Sequence, residues 1–303
     1  MRIGYCCISL GINEGKKKKE HISVNRGMIK KTFDAKGLNY VSELVKFNLA
    51  DTFKIIEWNK KNDILVYRLS SDSFPWMTNY KFEDLPDFDT ISSMLSQLGE
   101  LVQSYDMRLS LHPGPFCVLS SENEEVVNKT IDELNKHSQI LDYMGLPATT
   151  YYPVNIHVGT TKPSKQEAAD RFCLNFNRLS ESCRKRLTIE NDDTATQYSV
   201  TDLYNMVHSR LGIPIVIDSL HHKCFDDDMS WEDSLALAVS TWKVKPLCHH
   251  SSSKKTHEDP KARIESHADW LYEIFDNCGK DIDVEFECKQ KDLAVLKYRK
   301  EFS

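Results

Sequence analysis

Nine cysteines are scattered through the 303 residues, yet none forms a Cys-x-x-Cys pair. An odd, unpaired set argues against a disulfide scaffold, and Cys6, Cys7, Cys173 and Cys248 lie in apolar runs where a free thiol acts as a small hydrophobe. That usage suits a reducing, intracellular compartment, either cytoplasm or nucleus. No apolar run approaches the ~18–20 residues needed to span a bilayer. The opening residues read as a buried strand and lack the tripartite organisation of a secretory signal. There is no internal repeat and no Pro/Gly/Ser linker long enough to divide the chain. Gly159-Thr-Thr-Lys162 lacks the glycine pattern of a phosphate loop, and no serine sits in a nucleophile elbow. Excess positive charge is also missing. A net charge of −6 argues against gripping DNA by bulk charge, although carboxylates gathered as metal ligands are offset when divalent cations bind.

What is present is alternation. Short apolar runs at Arg2–Ile8, Ile64–Ser70, Met107–His112, Pro153–Val158, Leu187–Asn191, Ile213–Asp218, Val244–His249 and Asp281–Glu287 read as strands. Amphipathic stretches around 39–61, 88–105, 122–144, 165–184, 196–211, 231–241, 261–277 and 289–299 read as helices. Strands alternating with helices imply a parallel sheet with right-handed crossovers. Eight such units predict an α/β (β/α)8 TIM barrel, one domain over residues 1–303, with a doubly wound open sheet as the rival.

The reactive residues fall at strand ends: Ser70, His112, His157, Glu190, Asp218, His249 and Glu287. In an α/β barrel these ends form the rim that carries the active site. Alternate strand residues face opposite sides, so Ser110 shares a face with His112, Asn155 with His157, Thr188 with Glu190, and Asp283 and Glu285 with Glu287. The same parity, marked by Lys243 and Lys245, selects His249 over His250. His221, three residues beyond Asp218, and His267, early in the seventh helical stretch, complete a set of eight. Any one buried histidine is more often a hydrogen-bonded core residue than a ligand, but a shared rim weakens that reading. Five histidines, two glutamates and one aspartate exceed a single zinc site. They fit two or three divalent ions, Mn2+ and/or Zn2+, sharing carboxylates. His21, His137, His208 and His257 read as solvated or structural, and His222 and His250 as residues orienting the ligands beside them. The run Lys16–Lys19 reads as a solvated loop, with phosphate contact as the alternative.

At these residues the chain resembles the UV-damage endonuclease family. The matching segments occur in family order: Arg2–Tyr5, Tyr67–Ser71, Leu109–Gly114, Ile156–Gly159, Ile189–Asp193, Asp218–His222, His249–Ser252, Ser266–Asp269 and Ile282–Lys289. The resemblance implies a monomeric metal-dependent hydrolase acting on damaged double-stranded DNA, nicking immediately 5′ to a pyrimidine dimer and possible action at abasic sites. It implies one metal on His112, His157 and Glu190, and a second on Glu190, Asp218, His249 and Glu287. His221 and His267 would hold a third. Glu190, His249 and Glu287 would be catalytic, and Tyr5, Pro115 and Phe116 would contact DNA. The chain departs from the family pattern at Asn79, where a histidine is usual, at Pro115-Phe116, where Gln-Tyr is usual, and at Leu247, where a lysine is common. Alternatives on the same barrel are an endonuclease IV-like abasic-site enzyme and a metal-dependent sugar isomerase. A barrel that binds nucleic acid or metal without chemistry is the non-enzyme reading.

Overall fold

All eight expected strands form, each shorter than its apolar run. In the computed structural model, which describes residues 1–302, they are β1 (Arg2–Cys6), β2 (Val66–Arg68), β3 (Arg108–Ser110), β4 (Val154–His157), β5 (Leu187–Glu190), β6 (Ile215–Val216), β7 (Leu247–His250) and β8 (Asp283–Phe286). Every pairing is parallel. They form a five-stranded sheet in the order β3-β2-β1-β8-β7 and a three-stranded sheet in the order β4-β5-β6. Single parallel bridges join the two at both seams, Leu111 to Val154 and Asp218 to His249. The result is a curled parallel α/β sheet wrapped by helices.

Those helices are α1 (Lys30–Lys61), α2 (Phe88–Ser104), α3 (Glu124–Tyr143), α4 (Lys165–Phe176) and α5 (Glu181–Arg186), followed by α6 (Val200–Leu203) and α7 (Ser209–Leu211). Then come α8 (Ser219–Cys224), α9 (Trp231–Ser240), α10 (Lys254–His257) and α11 (Lys291–Phe302). α1 breaks at Gly37, where φ is 60°, a conformation that costs little only without a Cβ. Side-chain acceptors start several helices: Asn123 for α3, Ser164 for α4 and Ser230 for α9. No helix is long and apolar enough to cross a membrane.

The amphipathic stretch at 261–277 is not a helix. Glu258 accepts from the Asp269 amide at 2.7 Å, Ser266 O accepts from the Lys254 amide at 2.7 Å, and Ser252 O accepts from the Ala268 amide at 2.8 Å. The backbone donors that a helix would use are thus committed to partners outside the segment. His267 lies in an extended bridge opposite Ser253 rather than on a helix.

Strand parity divides the interior as expected. The faces turned to the helices, such as Val154 and Ile156 or Val284 and Phe286, are buried among apolar side chains. The faces turned inward are polar and stacked in layers. At the N-terminal end, Arg108 donates to Asp283 at 3.3 Å and Arg2 reaches the same carboxylate at 2.7 Å. One layer up, Thr188 donates to Asn155 at 2.9 Å, and Ser110 donates to Glu285. Burying such charges is tolerable because each is paired. The top layer, at the strand ends, is the histidine–carboxylate cluster.

Candidate metal centre

Glu190 ends β5 and is 1% exposed, and the cluster is arranged around it. Its Oε2 accepts from Asn155 at 2.6 Å and lies 3.1 Å from His112 Nε2 and 3.9 Å from His157 Nε2. Its Oε1 lies 3.0 Å from His249 Nδ1 and 3.6 Å from His221 Nδ1. The β-strand register explains the convergence, since His157 pairs directly with Glu190 across β4 and β5.

Each histidine is held by one nitrogen. His112 Nδ1 donates to Pro113 O at 3.0 Å, His221 Nδ1 to Asn191 O at 2.9 Å, and His267 Nδ1 to Glu287 O at 2.8 Å. A carbonyl can only accept, so these contacts fix the Nδ1–H tautomer and leave the Nε2 lone pair free. His157 Nδ1 faces Asp192 at 2.9 Å. His249 is reversed. Its Nε2 is contested by the Arg68 guanidinium at 2.7 Å, which can only donate, and the Glu285 carboxylate at 3.5 Å, which can accept. Its Nδ1 is the nitrogen turned toward Glu190 and, at 3.5 Å, Glu287.

Asp218 starts α8: its Oδ1 accepts from the amides of Leu220 and His221 at 2.7 and 2.9 Å. Its Oδ2 is buried without a hydrogen-bond partner, as is His249 Nδ1. Buried polar atoms left unpaired are costly unless something else satisfies them. Ligating atoms of His112, His157 and Glu190 lie within 4.8 Å of one another, and so do those of Glu190, Asp218 and His221. These residues therefore fit divalent ions, with Glu190 common to both groups.

The electrostatics agree. Burial opposes ionisation of Glu190, but His249 and His157 outweigh it and hold the carboxyl well below its usual range. Burial likewise opposes ionisation of Glu287, and Arg68 and His249 pull it down. Burial works against the charge on His221, yet Asp218, Glu190 and Glu287 push its pKa up to about 9. His249 is pushed up to about 10, with Glu190 overriding burial and Arg68.

Several expected residues lie elsewhere. Tyr5 is fully buried with its hydroxyl on Asn59 at 2.8 Å, so it is not at a DNA-facing surface. His222 and His250 do not orient the cluster. Strand alternation turns His250 outward against Phe275 and Phe286, with Nδ1 2.6 Å from Ser219, and His222 packs on Trp231. Asn79 is exposed and donates to Trp76 O at 3.3 Å, away from the cluster, while Leu247 is buried at the start of β7. Ser70 is buried and accepts from the Asp72 amide at 3.3 Å. Pro115 lines a cleft of about 550 Å3 above the cluster, and Phe116 beside it is 86% exposed. Two residues escaped the sequence reading. Arg68 is buried between Glu285 at 2.9 Å and Glu287 at 2.5 Å, and Asp192 orients His157. The parity that Arg68 shares with Ser70 was the available signal for the first.

A curled parallel α/β sheet with such a cluster at its strand C-termini is a scaffold whose residues fit divalent ions. The model of the family described as UV-endonuclease UvdE matches residues 1–303, and the chain belongs to that family. It is 32% identical over 306 residues to the UV-damage endonuclease of Schizosaccharomyces pombe, covering 97% of this chain and 49% of the relative. It is 30% identical to the UV DNA damage endonuclease of Clostridium perfringens, covering 98% of this chain and 69% of that one. The chain thus spans about half the length of the yeast relative. The crystal structure of SacUVDE superposes with a TM-score of 0.85 at 30% identity, covering 99% of this chain and 97% of that one. Endonuclease IV from Thermus thermophilus shares the fold alone, with a TM-score of 0.61 at 14% identity over 100% of this chain and 97% of that one.

Proposed function

We propose that this chain is a metal-dependent DNA-repair endonuclease, a hydrolase that nicks the phosphodiester immediately 5′ to UV photoproducts in double-stranded DNA. The observation that carries the reading is two ligand groups that share Glu190, His112–His157–Glu190 and Glu190–Asp218–His221, with His249 and Glu287 beside them, in a member of the UV-damage endonuclease family. The two seam bridges support reading the curled sheet as one eight-stranded barrel and one domain, with its open mouth as the DNA-facing side.

His112, His157 and Glu190 would hold one divalent ion, Mn2+ or Zn2+. Glu190, Asp218, His249 and Glu287 would hold a second, with His221 close enough to join them. His221 and His267, whose ring centres lie 6.5 Å apart, would hold a third. Divalent ions in such a site lower the pKa of a water and stabilise charge on a phosphoryl oxygen and a leaving oxygen. The chain's own residues do the rest. Glu190 supplies the shared negative charge. Arg68 keeps Glu285 and Glu287 ionised without a proton. Three backbone carbonyls orient the His112, His221 and His267 rings, and Asp192 pairs with His157.

Above them, Pro115 and Phe116 meet the duplex. A lesion leaves the stack locally weakened, so opening it costs less than in intact DNA. The Phe116 ring can then take the vacated space. Pro115 offers no side-chain hydrogen bond, so recognition rests on shape and stacking. The test is to incubate the purified protein with Mn2+ and separate UV-irradiated, abasic and intact duplexes, scoring nicks. Cutting confined to the UV-irradiated duplex supports the reading. Preference for the abasic duplex would move the assignment to an abasic-site enzyme, and no nicking of any duplex would refute it.

A further inference from the structure

Exposed charge is distributed unevenly around the mouth of the fold. The loops after β1, β7 and β8, strands of the five-stranded sheet, carry the exposed Lys16–Lys19, Lys255, Lys261 and Lys289. The loop after β6, in the three-stranded sheet, carries the exposed acidic run Asp226–Asp228. Lys16–Lys19 is the densest cationic segment on the molecule. Glu14 and Glu20 flank it, yet among the described residues none of its four side chains pairs with a carboxylate within 4.0 Å. Adjacent like charges repel one another, and a polyanion relieves that repulsion.

The segment is held in place from both sides. Asn13 closes its base, donating to Ile22 O at 2.9 Å and accepting from the Ile22 amide at 2.8 Å. Asp292, at the start of α11, accepts from Ser9 Oγ at 2.7 Å and from the amides of Leu10 and Gly11 at 2.7 and 2.9 Å. The loop after β1 is therefore stitched to the element that carries Lys289 and Lys291. Lys18–Glu20 forms one tight turn, with the Glu20 amide on Lys17 O at 2.8 Å. Because the backbone is already fixed, a ligand need order only the lysine side chains.

We infer that Lys16–Lys19 clamps the sugar–phosphate backbone of one duplex arm over the β1 side of the mouth, an inference that rests on the DNA reading above. The segment after β6, carrying Asp226–Asp228, disfavours the backbone. Such contacts carry no sequence or lesion information.

The test combines Lys16→Gln, Lys17→Gln, Lys18→Gln and Lys19→Gln in one variant, with a fourfold Lys→Arg counterpart that keeps the charge. Dissociation constants for UV-damaged and intact duplex are measured from about 50 to 200 mM salt. Each phosphate contact contributes about 0.9 to the slope of log Kd against log salt. The glutamine variant should show a slope shallower by about 2 to 4, with affinity reduced by the same factor for both duplexes and the arginine variant matching the parent. An unchanged slope in the glutamine variant, with the parent still binding, would overturn the clamp and leave the lysines as a solvated loop. A parent that binds neither duplex would overturn the DNA reading instead. Duplexes trimmed on one side of the lesion or the other locate the arm. The difference between parent and variant should vanish with one trimmed duplex only, and its persistence with both would overturn the one-arm placement.

Discussion

Arg68 Nη1 lies 2.5 Å from Glu287 Oε1, and this ion pair is enclosed within the strand-end cluster. The same guanidinium holds the fully buried Glu285 at 2.9 Å, so one cation serves a buried carboxylate and a partly exposed one. Removing one partner of a buried pair leaves the other charge desolvated and costs about 3–5 kcal/mol. Arg68→Ala in metal-free protein should lose about that much, read by denaturant unfolding. A loss below about 1 kcal/mol, the range of an exposed pair, would show that the guanidinium is not needed to hold the carboxylates.

The raised histidines make metal uptake a proton-releasing event. Unperturbed imidazoles titrate near about 6.5, whereas His221 and His249 are pushed up to about 9 and about 10. Both are therefore charged at neutral pH without metal, and ligation must displace those protons. Apparent affinity should rise as pH climbs toward the higher of these values. Calorimetric heats of metal binding at neutral pH should vary with the ionisation enthalpy of the buffer. Buffer-independent heats would contradict the ligand assignment. Metal-free protein should behave in the opposite sense. A raised folded-state pKa stabilises fully below the unfolded value, and that stability is lost as pH rises through the folded one.

Asp192 lies 2.9 Å from His157 Nδ1, so it acts on the centre through the imidazole. Outer partners of this kind orient the ring and raise its basicity, and their loss typically costs 10–100-fold in metal affinity. Asp192→Asn should weaken binding at the His112–His157–Glu190 group by about that factor, with unfolding little changed. Equal metal affinity in variant and parent would remove Asp192 from this role.

How much of this was legible in the sequence depends on which side chains carried the signal. The strands were, because Val154–Ile156 and Asn155–His157 alternate cleanly, and that parity put Glu190 and His249 inside and His250 outside. The span 261–277 was not, because the spacing of Trp270, Leu271, Ile274 and Phe275 mimics a helix. The backbone there is claimed by Glu258, Ser252 and Lys254, partners that no periodicity reveals. Arg68 escaped because arginines are usually solvated. Its burial follows from Glu285 and Glu287, which come more than two hundred residues later. Tyr5 was placed by resemblance alone, and its strand position turns it into the core.

Phe116 tests lesion selection. Base–aromatic stacking contributes about 1–3 kcal/mol per base, so Phe116→Ala should lose roughly ten- to a hundredfold of the preference for damaged over intact duplex. Metal content should stay constant, since the ring is no ligand, and Phe116→Tyr should keep the preference. A competition nicking assay on mixed damaged and intact duplexes reads this. Wild-type preference in the alanine variant would show that the lesion is read elsewhere.

The central claim is that a centre organised on Glu190 cuts the strand beside a photoproduct. Its most direct test is single-turnover nicking, with saturating Mn2+, of an end-labelled duplex carrying one pyrimidine dimer, comparing parent with Glu190→Gln. The substitution keeps the size and the contact to Asn155 but replaces a shared charge with a weak neutral ligand. The parent should give one product, ending at the phosphodiester 5′ to the dimer, and a folded Glu190→Gln protein should cut at least tenfold more slowly. A variant that retains more than a tenth of the parental rate, or a parent that cuts the intact strand equally well, would contradict the claim.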